Sequence, residues 1–153
     1  MLIDAHNHPN WHGHDAKKML ENMDKHGIDK TWLLSWEAPE DEYSPSYHAV
    51  LPPGGVGIPL EDVLQVAKEA PDRFEMGYIP HPKRPDAIDR LKAAHEIHGV
   101  KLAGELKVRV LFDDPDAIQL YHVAGELGMP ITIHLDYPLK WGPNRYPRPN
   151  YWY

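Results

Sequence analysis

The chain has 153 residues, a formal net charge of −7 and no cysteine. That length fits a single domain spanning 1–153, and the lack of cysteine excludes disulfides and thiolate metal sites, so any metal must be held by His, Asp, Glu or a modified Lys. There is no Lys/Arg-rich run, no apolar run near the ~18 residues of a membrane span and no signal-peptide pattern, which argues against nucleic acid and membrane partners and makes the cytoplasm the expected compartment.

The first predicted element is a strand over Leu2–Ala5, followed by Asp4-Ala5-His6-Asn7-His8 at its end. Side chains alternate along a strand with a period of two, so Asp4, His6 and His8 share a face. Two imidazoles on one face at a strand end can reach one cation, and neutral imidazole is a common ligand for zinc and similar metals. A loop then carries Trp11, His12 and His14, any of which could line a pocket. Asp15 is a suitable N-cap, the apolar spacing Ala16, Met19, Leu20, Met23 predicts a helix, and Gly27 stops it.

Thr31–Ser35 reads as the second strand. Residues 36–59 are rich in Pro and Gly, which predicts a long irregular loop at a strand's C-terminal end, where active-site loops sit in α/β folds. Leu60, Val63, Leu64 and Ala67 predict a helix face, and Phe74–Ile79 a third strand. Pro85 is placed to open the next helix, with Ala87, Ile88, Leu91 and Ala94 as its apolar stripe and Gly99 as its end. Val100–Leu106 is the fourth predicted strand, with Lys101, Ala103, Glu105 and Lys107 on one side of its pleat. Asp114-Pro115 is an N-cap followed by Pro at the first helical position, and Ile118, Tyr121 and Leu127 form the expected stripe. Pro130–Leu135 is the fifth strand, ending in His134 with Thr132 and Asp136 on the same side. The tail, Trp141 to Tyr153, is Pro-rich and aromatic and could wall a substrate pocket.

Strands alternating with helices imply a parallel sheet with right-handed crossovers. Five strands suit a complete doubly wound sheet, and they also suit the first part of a (β/α)₈ barrel of ~250 residues. In a flavodoxin-like order 2-1-3-4-5 the first and fifth strands stand three places apart, ~14 Å, too far to share a cation easily. In a closed barrel, inward side chains from both converge at the C-terminal mouth. Residue count favours the open sheet, and the placement of the histidines favours the barrel.

The opening Ile-Asp-Ala-His-Asn-His-Pro, the later Gly-Val-Lys-Leu and the run from Asp-Asp-Pro to Leu-Gly-Met-Pro-Ile-Thr-Ile-His together resemble the amidohydrolase superfamily, more narrowly its amidohydrolase-related group of metal-dependent hydrolases and decarboxylases. The resemblance is densest at residues 1–8 and 99–135. It implies a (β/α)₈ TIM-type barrel of which this chain covers about the first five strands. It also implies His6, His8 and His134 as ligands of one divalent metal, with zinc first and manganese or iron also suited. The family's His after strand six and Asp after strand eight would fall beyond Tyr153. The expectation is therefore an N-terminal portion of a longer enzyme, weakly active alone, with its base outside this chain. Open edges at strands one and five predict pairing with a second copy, or aggregation.

The implied chemistry is attack of metal-activated water on an amide, ester or lactone-like bond of a small molecule. The alternatives are non-oxidative decarboxylation or hydration on the same scaffold, and a non-catalytic metal-binding α/β domain. Asp4 is a candidate hydrogen-bonding neighbour of the metal, and Trp11 and Glu105 are candidates to line the site. Lys101 is a weaker candidate for a carboxylated bridging lysine, and Arg109 for binding a substrate carboxylate.

Overall fold

A computed structural model describes residues 1–37 and 57–134 of the chain. The strands are β1 (Ile3–Asn7), β2 (Lys30–Leu34), β3 (Phe74–Gly77), β4 (Ala103–Leu106) and β5 (Ile131–Ile133). The helices between them are α1 (Ala16–His26), α2 (Leu60–Ala67), α3 (Ala87–His98) and α4 (Pro115–Glu126). The expected residues 38–56 of the long loop, Leu135, Asp136 and the aromatic tail lie outside the described residues.

Local chemistry sets most element ends. The Asp15 carboxylate accepts the Lys18 backbone N–H at 2.9 Å, satisfying one of the free donors at the start of α1. Gly27 ends that helix at φ 67°, the left-handed conformation that glycine adopts without penalty. Asp114 accepts from Asp116 N–H with Pro115 at the first helical position. Two expectations change. Pro85 precedes α3 rather than opening it, and Asp86 occupies the cap position with its carboxylate turned to Arg84 and Arg90 instead of the helix backbone. In α4 Ala117, Leu120 and Ala124 are buried, Tyr121 and Leu127 of the expected stripe pack half-buried against the same core, and Ile118 is exposed. Both sets are apolar in sequence, so periodicity could not say which residues lie deepest, and packing placed Ala117, Leu120 and Ala124 there.

The sheet order decides between the two architectures. β1 pairs with β2 and β2 with β3, all parallel, with Thr31 to Leu34 opposite Phe74 to Gly77. A parallel bridge between Gly77 and Leu102 carries the sheet to β4, which pairs with β5. The described strands thus follow chain order, 1-2-3-4-5. The flavodoxin-like order requires β1 between β2 and β3, and the direct β2–β3 ladder excludes it.

Helices cover one face of this sheet. Ala16, Met19 and Met23 of α1 and Val63, Val66 and Ala67 of α2 pack on Leu33 and Phe74. Leu91 and Ala94 of α3 and Leu120 and Ala124 of α4 pack on Ala103 and Leu106. In α2 it is Val66, not Leu64, that is buried beside Val63 and Ala67. Ala103 and Leu106 both join the helix-facing core although they are three residues apart, and the β4–β5 register shifts between them. This irregularity in the alternation leaves Glu105 free of the helical layer.

Candidate metal centre

β1 delivers the first two side chains. The strand runs on to Asn7, beyond its expected end at Ala5, and its register against β2 shifts between Asp4 and Asn7. Asp4 braces this turn: one carboxylate oxygen accepts the His6 backbone N–H at 3.2 Å and the other accepts the Asn7 amide at 2.9 Å. The His6 and His8 rings stand edge to face with centroids 5.2 Å apart. His8 Nδ1 lies 2.8 Å from the Leu34 carbonyl oxygen on β2. That oxygen can only accept, so Nδ1 carries the proton and Nε2 is turned to the site.

β4 supplies the third group. Glu105 is 1% exposed, and its backbone N–H donates to the Ser35 carbonyl at 2.7 Å. Its carboxylate meets three imidazoles. Oε2 lies 3.1 Å from His8 Nε2 and 3.4 Å from His6 Nε2, and Oε1 lies 2.5 Å from His134 Nδ1. His134 follows β5 directly and is held there by its backbone N–H on the Leu106 carbonyl at 3.0 Å.

Burial is the largest influence on the Glu105 carboxyl and pushes its pKa up, but hydrogen bonds from His134, His6 and His8 reverse this and hold it far below the usual carboxylate range. The hydrogen bond to Glu105 is the main cause that raises the His6 pKa. Burial opposes it, the charges of Glu105 and Asp4 reinforce it, and Lys107 opposes it.

One ligand atom from each of His6, His8 and Glu105 lies within 4.8 Å of the others, the cluster among the described residues that fits a metal ion. The donor set suits a divalent cation: two imidazoles and an ionised carboxylate. The contacts of His8 point the same way. Its Nδ1 faces a carbonyl and its Nε2 faces a carboxylate, whereas a neutral imidazole has only one N–H to donate. A cation held between Nε2 and Glu105 would suit both contacts. His134, which the resemblance implied as the third ligand, reaches this cluster through its Nδ1 on Glu105, and Glu105 stands beside His6 and His8.

The other candidates fall around this group. Trp11 is half-buried, its ring 5.8 Å from that of His8 and 6.2 Å from that of Trp36. His12 and His14 are exposed. Lys101 is exposed and pairs with Glu75 at 3.1 Å, away from the cluster's ligand atoms. His95 is structural, its Nδ1 2.9 Å from the Val100 carbonyl. Trp36 and Lys107 were not singled out by sequence. Trp36 is 1% exposed, and the Lys107 ammonium lies 4.2 Å from its ring centroid. The signal for both was parity: Trp36 is two residues beyond Leu34, and Lys107 two beyond Glu105.

No protein-family model and no curated protein matches the chain. Solved structures do match in fold. The crystal structure of an amidohydrolase II superposes with a TM-score of 0.62 at 16% identity, over 95% of this chain and 54% of that one. A probable 2-pyrone-4,6-dicarboxylic acid hydrolase from Acinetobacter baumannii, with citric acid bound, gives 0.53 at 14% identity over 87% and 49%. A 5-carboxyvanillate decarboxylase from Novosphingobium aromaticivorans, with bound manganese and 3-methoxy-4-hydroxy-5-nitrobenzoic acid, gives 0.52 at 16% identity over 77% and 34%. The chain spans about half the length of the first two and a third of the last. In its fold the chain thus resembles part of the amidohydrolase-related enzymes, hydrolases and decarboxylases alike.

Proposed function

We propose that the chain carries the metal-binding part of a metal-dependent hydrolase of the amidohydrolase type acting on a small molecule. The observation that supports this reading best is the meeting of His6, His8 and Glu105 within 4.8 Å, on strands that sequence order separates. In this reading His6 Nε2, His8 Nε2 and Glu105 Oε2 hold the cation, and His134 orients the other carboxylate oxygen or joins as a fourth ligand. A divalent ion bound there supplies Lewis acidity, polarising a carbonyl and lowering the pKa of water from ~15.7 towards ~7. Zinc comes first on donor chemistry, and the manganese bound by the Novosphingobium decarboxylase supports a second candidate.

The protein's own groups have separate tasks. The Leu34 carbonyl fixes the His8 tautomer, so that Nε2 faces the site. Asp4 holds the turn that sets His6 beside His8. Trp11 stands on one side of the site, its ring 5.8 Å from that of His8. His6, whose side chain is 48% exposed, marks the side from which a substrate enters. The (β/α)₈ barrel, of which the described strands have the order, is part of the same proposal.

Likeness to a decarboxylase favours a second reading, non-oxidative loss of carbon dioxide from a carboxylated ring on the same centre. Equilibrium dialysis of the 153-residue protein against zinc and manganese tests the shared foundation. One equivalent should be retained, and His6→Ala and His8→Ala should each lose it. A folded wild-type chain that retains neither metal overturns both readings. Carbon dioxide release from an aromatic carboxylate, against proton release from a lactone, separates them.

A further inference from the structure

Asn7 sits between the two histidines, and its side chain is used twice. Its amide N–H donates to Asp4 Oδ2 at 2.9 Å, and its amide oxygen accepts the His8 backbone N–H at 2.9 Å. The other oxygen of Asp4 accepts the His6 backbone N–H at 3.2 Å. The partners fix which way the Asn7 amide points, since an ionised carboxylate only accepts and a backbone N–H only donates. These side chains stand in for backbone pairing. Asp4 lies opposite Thr31 and Asn7 opposite Leu33, so β1 carries one residue more than β2 across the shift. An extra residue of this kind leaves ladder groups unpaired and bends the strand. Buried Pro9 follows His8 and biases its backbone towards extended conformations.

In a regular strand the ladder itself would hold His6 and His8 in step. Here the ladder is interrupted beside the first of them, and side-chain hydrogen bonds hold both backbone N–H groups instead. We propose that Asn7 is a positioning residue of the metal centre: joined to Asp4, it locks the backbones of His6 and His8 so that both Nε2 atoms face one cation. This rests on the metal-dependent reading of the centre. Asn7 acts through the two histidines and not on the cation itself. The task needs a donor towards a carboxylate and an acceptor towards the His8 N–H in one short side chain, which an asparagine amide supplies. Leucine offers neither group, and aspartate sets a second carboxylate against Asp4.

Exchanging the two residues tests this. Asp4→Asn sets donor against donor and Asn7→Asp sets acceptor against acceptor, whereas the double variant restores the pair at the wild-type net charge. Manganous ion is titrated calorimetrically into the full chain, and exchange of the His6 and His8 amide hydrogens is followed by NMR on the metal-free protein. Each single variant should weaken manganous ion about 10–100-fold, the usual cost of losing a group that orients a ligand, and should speed exchange at His6 and His8. The double variant should recover most of both losses. Asn7→Leu, uncharged and of similar size, should weaken manganous ion as the single variants do. Charge alone predicts that Asn7→Asp binds manganous ion more tightly, and that result overturns the proposal. So does a double variant no better than the worse single one. Single variants that lose urea resistance yet hold manganous ion with wild-type affinity reduce Asn7 to a purely structural role and overturn it too. A wild type that protects both amides but holds no manganese counts against the metal reading, and one that holds manganese with neither amide protected counts against Asn7.

Discussion

His8 Nε2 stands 3.1 Å from Glu105 Oε2, although β1 and β4 are three places apart in the strand order. A flat sheet would hold those strands about 14 Å apart. Contact at hydrogen-bond distance requires the sheet to curl, so that residues from its two ends face a common space. The metal candidate is a product of that curvature.

Replacing Glu105 is the sharpest test of the centre. Glu105→Gln keeps the volume and removes the charge that three imidazoles share. Retention of zinc or manganese should fall by about 100-fold or more, since loss of a mere outer partner already costs 10–100-fold. Competition with a chelator of known affinity measures it, and wild-type retention by the variant would remove Glu105 from the site.

His134 should behave differently from His6 and His8. It touches Glu105 through Nδ1, and under the proposed reading it orients the carboxylate. His134→Asn should weaken metal retention by about 10–100-fold, less than His6→Ala or His8→Ala. A loss equal to theirs would identify His134 as a direct ligand.

Gly104 admits no side chain where β4 meets β5. A Cβ there would lie 2.8 Å from Thr132 Cβ and 3.1 Å from the Thr132 carbonyl oxygen. Gly104→Ala should destabilise the protein by about 1–3 kcal/mol, the usual range for overpacking. Because Glu105 is the next residue, metal retention should fall with it. Urea unfolding monitored by tryptophan fluorescence gives the first quantity. An unchanged midpoint would show that the two strands can separate at no cost.

The ion pairs ahead of α3 give a pH signature. Hydrogen bonds from Arg84 and Arg90 hold the Asp86 carboxyl down at about 2, against an ordinary value of 3.8. A depressed folded-state pKa adds stability that is present above about 4 and lost as the pH falls towards 2. Between those values the wild type should lose urea resistance faster than Asp86→Asn, and above pH 5 the gap between them should be constant. Because Asp86 is exposed, added salt should narrow the gap. Parallel acid profiles would show that the pairing has no weight in solution.

Much of this arrangement could be read from residues in order. Asp15, Gly27, Gly99 and Asp114-Pro115 mark helix ends by local hydrogen bonding and backbone freedom, and such effects act within a few residues. The His6-x-His8 spacing places two imidazoles together for the same local reason. Other features were not legible. In α4 only packing decided that Ala117, Leu120 and Ala124 lie deepest while Tyr121 and Leu127 pack half-buried beside them. The shift within β4 broke the period of two that had grouped Ala103 with Glu105.

By itself the sequence determined the alternation of strands and helices, the histidine pair and the absence of thiolate ligands, because each depends on neighbouring residues or on composition alone. Only the tertiary structure decided that the strands lie in chain order, that the sheet curls, and that Glu105 stands among His6, His8 and His134. The reason is distance along the chain. Glu105 is nearly a hundred residues from His8, and their approach depends on the register of every intervening strand, which no local pattern specifies.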